Sequence, residues 1–222
     1  MTTMTTIRTP QNESINGWPF QVYRPPDSPT DHRLMLLLHG HLGNENAMWV
    51  LTKPIPQGYA LLAPRGTVQT GPDQFSWHAT TSQWPELDAY RVLADSLLER
   101  IEDWTNTHDW PMHRIDVMGF SQGAVLALAM GILYPNKIGR TAILAGFLPQ
   151  AWIPQLPAKP DSLAGKPFFL AHGTQDDVVP IAKAQRAATW LNEKGADVTF
   201  CKADTGHKLS ANCFNTLGEF FT

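Results

Sequence analysis

The sequence predicts an α/β fold, with a mostly parallel central sheet and helices on both of its faces. Short apolar runs of strand length alternate with longer runs in which apolar residues recur at helical spacing. Residues 119–123, with the pattern G-x-S-x-G, separate one such strand from one such helix. An acidic pair and a histidine follow two later apolar runs. Alternating strands and helices are typical of parallel sheets, because each connection returns along a face of the sheet.

Each element has its own local signal. Apolar runs bounded by glycine, proline or polar residues predict strands at 20–24, 33–38, 59–63, 115–118, 141–145, 167–171 and 197–201. Helices are predicted at 85–104, 124–133, 181–194 and 208–221. The first of them begins with a proline and an acid, and the third ends before Gly195. Residues 64–85, which are rich in glycine, proline and polar residues, are expected to form a long loop.

Length and charge restrict the class of protein. The 222 residues are expected to form a single domain, 1–222, with the polar residues 1–16 as a poorly ordered N-terminal extension. The formal net charge is −3 and no cluster of lysine and arginine stands out, so nucleic-acid binding is not expected.

Residues 1–16 lack the apolar region of a signal peptide, and the longest apolar stretch, 124–133, is too short to span a membrane. A cytoplasmic protein without integral membrane association is therefore expected, and no feature predicts its oligomeric state. Cys201 and Cys213 lack C-x-x-C spacing and are expected to be buried or partly buried free thiols.

The pattern at 119–123 predicts a nucleophile elbow, a sharp turn from strand to helix that exposes a strained serine above the sheet. Glycine is needed two residues before and two residues after Ser121, because a side chain there would collide with the turn. A serine hydroxyl is a poor nucleophile at neutral pH and needs a base within hydrogen-bond reach. Histidine has a suitable pKa for this role, and it needs an anion that fixes its tautomer.

Candidates for both partners follow later in the chain. Asp176 and Asp177 come after the predicted strand 167–171, and His207 comes after the predicted strand 197–201. Because parallel strands end at the same edge of the sheet, we expect these side chains to lie near Ser121. We expect Ser121 to act as nucleophile and His207 as general base and then acid, with Asp176 or Asp177 orienting the imidazole.

Five segments, at 38–45, 119–124, 145–149, 172–180 and 206–207, carry a family resemblance. Through them the chain resembles the phospholipase/carboxylesterase family of small α/β-hydrolases, which includes acyl-protein thioesterases and bacterial carboxylesterases. The resemblance implies an α/β-hydrolase fold with the chain order Ser, Asp, His. It places the acid on Asp176, the aspartate of the pattern H-G-x-x-D-x-x-V-P, rather than on Asp177. The chain departs from the family at Leu42, where glycine is frequent.

Two backbone N–H groups are expected to stabilise an oxyanion. One belongs to Gln122, the residue after the nucleophile, at the start of a predicted helix. For the second, the resemblance points to His41, with Leu42 as the alternative.

Candidate pocket residues are also expected. The resemblance places Phe147 and Leu148 beside the substrate, and Leu42 is a further candidate. Trp77 lies in the long loop and is expected either to fill the core or to line the pocket. Trp152 lies in the proline-rich segment 149–160, which is expected either to pack on the core or to form a flap over an acyl-chain groove.

These residues and the resemblance together imply a serine hydrolase that cleaves small-molecule carboxylic esters through an acyl-Ser121 intermediate and without a cofactor. The resemblance also allows lysophospholipid and acyl-thioester substrates. Two alternatives are a non-catalytic ligand-binding protein on the same fold, and an acyltransferase or perhydrolase in which another acceptor outcompetes water. No metal site is expected, because His39 and His172 have no third ligand at a useful spacing.

Overall fold

The structure, a computed structural model, describes residues 8–26, 33–79, 81, 83–110 and 114–222. Its strands are β1 (Gln11–Ile15), β2 (Trp18–Tyr23), β3 (Leu34–Leu38), β4 (Ala60–Pro64), β5 (Val68–Gly71), β6 (Gln74–Ser76), β7 (Ile115–Phe120), β8 (Ile138–Leu144), β9 (Pro167–Gly173) and β10 (Asp197–Ala203). Its α-helices are α1 (Leu87–Thr107), α2 (Gln122–Leu133), α3 (Ile181–Glu193) and α4 (Ala211–Phe221). Two short 3-10 helices lie at Trp49–Leu51 and Gln150–Gln155.

An eight-stranded sheet forms the centre of the molecule, in the order β1-β2-β4-β3-β7-β8-β9-β10. From β4 to β10 every neighbouring pair is parallel, whereas β1 pairs antiparallel with β2, and β2 antiparallel with β4. The carboxyl ends of the parallel strands therefore meet at one edge. The predicted class, α/β with a mostly parallel central sheet, is confirmed.

Alternate residues of the central strands face opposite sides of the sheet, as the strand pleat requires. In β3, Leu34 and Leu36 pack in one buried cluster with residues of α1, α2 and α3. Met35 and Leu37 pack in a second cluster with residues of α4. Helices thus cover both faces, three on one side and α4 on the other. Helix α2 is buried along nearly its whole length, which explains why its sequence has no polar face.

Two predicted loops contain strands. Residues 11–15, which we expected within a poorly ordered extension, form β1 and pair with β2 along its length. Residues 1–7 lie outside the described part of the chain. The expected long loop 64–85 contains the hairpin of β5 and β6. All three strands, β1, β5 and β6, are partly exposed and short, so they lack the continuous apolar run that identified the central strands.

The expectation of two free thiols is wrong. Cys201 in β10 and Cys213 in α4 form a disulfide, with a sequence separation of 12. Both half-cystines are buried. The segment between the two half-cystines contains His207. Within this segment Ser210 is the N-cap of α4, and its Oγ accepts from the Cys213 N–H at 3.2 Å. The pairing depends on α4 folding back onto the sheet, which cysteine spacing does not encode.

Segment 149–160 is attached to the core through the buried side chains of Trp152 and Leu156, and most of its other residues are exposed. Residues 150–155 form a 3-10 helix that includes Pro154. Trp152 is fully buried, its ring lies 4.7 Å from the Tyr90 ring, and its Nε1 donates to the Pro85 carbonyl oxygen at 2.9 Å. Within the described ranges, no helix combines the length and the apolar character needed to cross a membrane.

Candidate active site

Ser121 lies at the turn from β7 to α2, at the carboxyl edge of the sheet. Its φ is 52°, a left-handed backbone conformation that costs a non-glycine residue about 1–3 kcal/mol. A Cβ on Gly119 would lie 2.1 Å from the Gly123 carbonyl oxygen, and one on Gly123 would lie 2.2 Å from the Leu38 carbonyl oxygen. Neither glycine can therefore carry a side chain, which is the steric reason for the G-x-S-x-G pattern.

Three predicted side chains meet at this turn. The Ser121 Oγ lies 2.9 Å from the His207 Nε2, and the His207 Nδ1 lies 2.7 Å from the Asp176 Oδ2. A carboxylate accepts only, so the Nδ1 donates to Asp176 and the neutral ring presents its Nε2 lone pair to the serine hydroxyl. In this tautomer the imidazole can take the hydroxyl proton as Ser121 attacks an electrophile.

Asp176 is buried and held by backbone donors. Its Oδ1 accepts from the N–H groups of Val178 at 3.0 Å and Val179 at 2.8 Å. Burial alone would raise the pKa of the carboxyl, but the hydrogen bonds from Val179, His207 and Val178 together lower its pKa below the ordinary value. The carboxylate is therefore charged at neutral pH. Asp177 is exposed and has no hydrogen bond to His207.

The loop that carries His207 packs directly on the loop after β9. The Gln175 N–H donates to the Thr205 carbonyl oxygen at 3.0 Å, and its Nε2 donates to the Asp204 Oδ1 at 2.7 Å. A Cβ on Gly173 would lie 2.1 Å from the Thr205 carbonyl oxygen, so the two backbones touch. These contacts fix the imidazole relative to Asp176.

The loop after β3 lies against the elbow. A Cβ on Gly40 would lie 3.4 Å from the Ser121 Cβ, and Gly40 accepts from the Gly43 N–H at 3.1 Å. This turn places Leu42 at its third position with φ 60°, a backbone conformation that favours glycine. The same conformation explains why glycine is frequent at this position in the family that the sequence resembles. His41 follows Gly40 directly, and Gln122 is the first residue of α2.

Two side chains that the sequence did not identify support this loop. The Ser76 Oγ lies 2.7 Å from the His41 Nδ1 and accepts from the Leu42 N–H at 3.4 Å. The Gln122 side chain accepts from the Trp77 N–H at 2.7 Å and donates from its Nε2 to the His78 Nε2 at 2.9 Å. No local motif marks these residues, because they act through contacts between distant segments.

Trp77 and His39 form the layer beneath the site. Trp77 is buried, and its Nε1 donates to the His39 carbonyl oxygen at 2.7 Å. The His39 Nε2 accepts from the Gly66 N–H at 2.8 Å, and burial lowers the pKa of this imidazole. Both residues support the end of β3, and Trp77 is not among the lining residues of the two cavities that hold the other pocket candidates.

The remaining pocket candidates lie in two cavities, except Trp152, which is in the core. Leu42, a residue that is 45% exposed, lines a mostly apolar cavity of about 440 Å³. Its other apolar walls are Met48, Val50, Leu51, Phe120 and Leu209. Phe147 and Leu148 line a second cavity of about 430 Å³. In the described residues, no three His, Cys, Asp or Glu side chains are grouped closely enough to hold a metal ion.

Comparison with known proteins identifies the family of this chain. The profile of the family described as phospholipase/carboxylesterase matches residues 24–222. Acyl-protein thioesterase 1 of Aspergillus fumigatus is 32% identical over 176 residues, 69% of each chain. MhqD of Bacillus subtilis is 26% identical over 193 residues, 86% of this chain and 94% of its own length. The crystal structure of the Bacillus cereus carboxylesterase superposes with a TM-score of 0.80 at 21% identity, covering 93% of this chain and 94% of the other.

Proposed function

This chain belongs to the phospholipase/carboxylesterase family, and we propose that it is a serine esterase that hydrolyses carboxylic esters through an acyl-Ser121 intermediate. The observation that carries the proposal is the hydrogen-bonded series from the Ser121 Oγ through His207 to Asp176, with distances of 2.9 and 2.7 Å. The first distance lies within the range in which a base can take a proton from a nucleophile, and the second is that of a hydrogen bond that orients the base.

In the proposed reaction the Ser121 oxygen attacks the ester carbonyl carbon while its proton passes to the His207 Nε2. The charged Asp176 stabilises the imidazolium and keeps the Nδ1 proton in place. Collapse of the tetrahedral adduct expels the alcohol, which takes the proton from His207. Water then attacks the acyl-serine with His207 again as base, and the carboxylic acid and free Ser121 are formed.

We propose that the backbone N–H groups of His41 and Gln122 bind the oxyanion of the tetrahedral adduct. The contact of Gly40 with Ser121 brings the His41 loop to the nucleophile, and Gln122 begins α2, whose N-terminus favours negative charge. Each donor of this kind contributes about 10²–10³ in rate.

The apolar cavity beside the elbow supports an acyl group as its occupant. Gly40, His41 and Phe120 belong both to its wall and to the surroundings of Ser121, while Leu42 and Val50 are exposed at the cavity. We propose short to medium acyl chains in this cavity. An oxygen ester and a thioester require the same proton transfers, and the thioesterase name of a relative supports including a thioester in the substrate panel.

The test compares Ser121→Ala with Ser96→Ala, a control on α1 away from the site. With p-nitrophenyl butyrate, we expect Ser121→Ala to lower kcat by about 10⁴-fold or more and Ser96→Ala to leave it unchanged. A fluorophosphonate probe should label the wild type and Ser96→Ala but not Ser121→Ala. Equal activity and equal labelling in all three proteins would refute the proposal.

We further propose a cytoplasmic location, following the sequence prediction. Disulfides are uncommon in the reducing cytosol, so the bridge between Cys201 and Cys213 is an observation against it. Fractionation of the source cells, with a periplasmic or secreted marker as control, tests the location. Enrichment with that marker would contradict it.

A further inference from the structure

The second cavity, which Phe147 and Leu148 line, combines aromatic walls with positive charge. The Trp84 and Phe147 rings meet edge to face, with their centroids 4.9 Å apart. Lys183 and Arg186 from the first half of α3 also line it, as does Glu86, and the rest of the lining is uncharged. We call this cavity of about 430 Å³ the cationic pocket.

Neither cation forms an ion pair with a carboxylate of the described residues. The Lys183 Nζ lies 4.8 Å from the centroid of the Phe147 ring, so its ammonium stays at the cavity wall. Glu86 is the one acid of the described lining, and it accepts from the Gln155 Nε2 at 3.2 Å. The cationic pocket therefore carries net positive charge.

The cationic pocket lies at the same edge of the sheet as Ser121. Phe147 follows β8, the neighbour of β7, and the Ser121 N–H donates to the Leu144 carbonyl oxygen at the end of β8. Lys183 lies on α3, which follows the loop that holds Asp176. Thus, two walls of the pocket are continuations of the segments that position the proposed catalytic groups.

A chain of side-chain contacts also joins the pocket to the elbow. The side chain of Gln122, the residue after Ser121, forms a hydrogen bond with the His78 ring. The His78 ring lies 4.7 Å from the Trp84 ring, which in turn packs on Phe147. These contacts connect the aromatic wall of the pocket to the residue that follows Ser121.

We propose that the cationic pocket binds a carboxylate carried by the ester substrate, so that the enzyme prefers esters with an anionic group remote from the scissile bond. The inference rests on the proposed esterase function and names its substrate class. The aromatic walls would pack on a short hydrocarbon spacer, and Lys183 with Arg186 would pair with the carboxylate. Lys183 is partly exposed and Arg186 is exposed, so a carboxylate in the pocket would gain attraction from two nearby cations, whereas an apolar acyl chain would gain none from them.

The test is a double variant, Lys183→Met with Arg186→Met, against a matched control, Lys137→Met with Arg114→Met. Lys137 and Arg114 directly precede β8 and β7, at the opposite edge of the sheet, and are exposed. Both double variants remove two positive charges, so a general effect of net charge cancels in the comparison.

Two substrate pairs locate the anion. On the acyl side, p-nitrophenyl hemiglutarate is compared with p-nitrophenyl valerate. On the alcohol side, 4-carboxyphenyl butyrate is compared with phenyl butyrate. We expect the ratio of kcat/KM, anionic over neutral, to fall about three- to tenfold in the pocket variant for one pair and to stay constant in the control. In the wild type, 0.5 M salt should reduce the same ratio, because the pocket is partly exposed.

Unchanged ratios for both pairs would overturn the inference. Binding of monomethyl glutarate, measured by calorimetry on proteins that also carry Ser121→Ala, gives an answer that needs no turnover: we expect affinity with the wild-type pocket and in the control, and its loss in the pocket variant. Hydrolysis of neutral esters by the wild type, together with equal binding of monomethyl glutarate by Ser121→Ala with and without the pocket substitutions, would refute the cationic pocket alone. Binding by Ser121→Ala together with a wild type that hydrolyses no ester would refute the proposed function alone.

Discussion

Replacing Cys201 and Cys213 together with alanine tests how the disulfide supports the loop that carries His207. The bridge joins the end of β10 to the first turn of α4, and the histidine lies between its two ends. The pair therefore restrains the same loop that positions the imidazole. We expect a large change in stability and a small change in catalysis.

The size of the stability change follows from the length of chain that the bridge closes. A sequence separation of 12 corresponds to a loss of unfolded-state entropy worth about 3 kcal/mol at 25 °C. For a chain of 222 residues, this lowers Tm by about 6–12 °C. The loop has other restraints in the folded state, because Gln175 bonds both Thr205 and Asp204. Below the melting range, kcat for p-nitrophenyl butyrate should therefore stay close to that of the wild type.

The assay is urea unfolding followed by tryptophan fluorescence, for the wild type with and without a dithiol reductant and for the double alanine variant. Reductant should lower the midpoint of the wild type and leave the variant unchanged. Unfolding without reductant, followed by alkylation and mass measurement, counts free thiols independently. Two alkyl groups on the untreated chain, or equal midpoints for all samples, would refute the reasoning.

Three further predictions concern single residues. Asp176→Asn should lower kcat about 10⁴-fold by removing the anion that fixes the His207 tautomer, whereas Asp177→Asn, at an exposed side chain, should leave it near wild type; similar losses in both variants would show that the acid is wrongly assigned. Trp152→Ala should cost about 3–5 kcal/mol of unfolding free energy in urea titrations, because the indole is fully buried. It should lower kcat/KM equally for short and long acyl esters. A loss of kcat/KM confined to long acyl chains would instead support a flap over the acyl-chain groove. Glu45→Gln should cost about 1 kcal/mol at pH 7, since Arg65 lowers the pKa of the Glu45 carboxyl by hydrogen bonding. The ion pair stabilises the fold fully above the ordinary glutamate pKa, and this contribution is lost as the pH falls through the lowered pKa of Glu45. The difference in unfolding free energy between wild type and Glu45→Gln should therefore shrink below about pH 4. A difference that stays constant with pH would contradict this reasoning.

Local rules explain what could be predicted about the fold. The central strands are buried on both faces, so they read as short continuous apolar runs, and the sheet class followed from them. The edge strand β1 and the hairpin of β5 and β6 were missed, since partly exposed strands carry no such run. Trp152 could not be assigned from its proline-rich surroundings, because its burial depends on contact with Tyr90 in a distant helix.

The candidate site divides in the same way. The position of Ser121 was predictable because the turn from strand to helix leaves no room for a Cβ two residues before or after it. Glycine at both positions therefore marks the turn within a few residues of sequence. Ser76 and the side chain of Gln122 were not predictable, since each acts on a segment that only folding brings near.

The sequence by itself determined the parallel sheet and the elbow, which depend on steric and hydrophobic rules that act between residues close in the chain, and family resemblance supplied Asp176 as the acid. Only the tertiary structure decided that Cys201 bonds Cys213, and that Lys183 and Arg186 share a cavity with Phe147. These relations join residues far apart in the chain, and packing of helices on the sheet sets their distances.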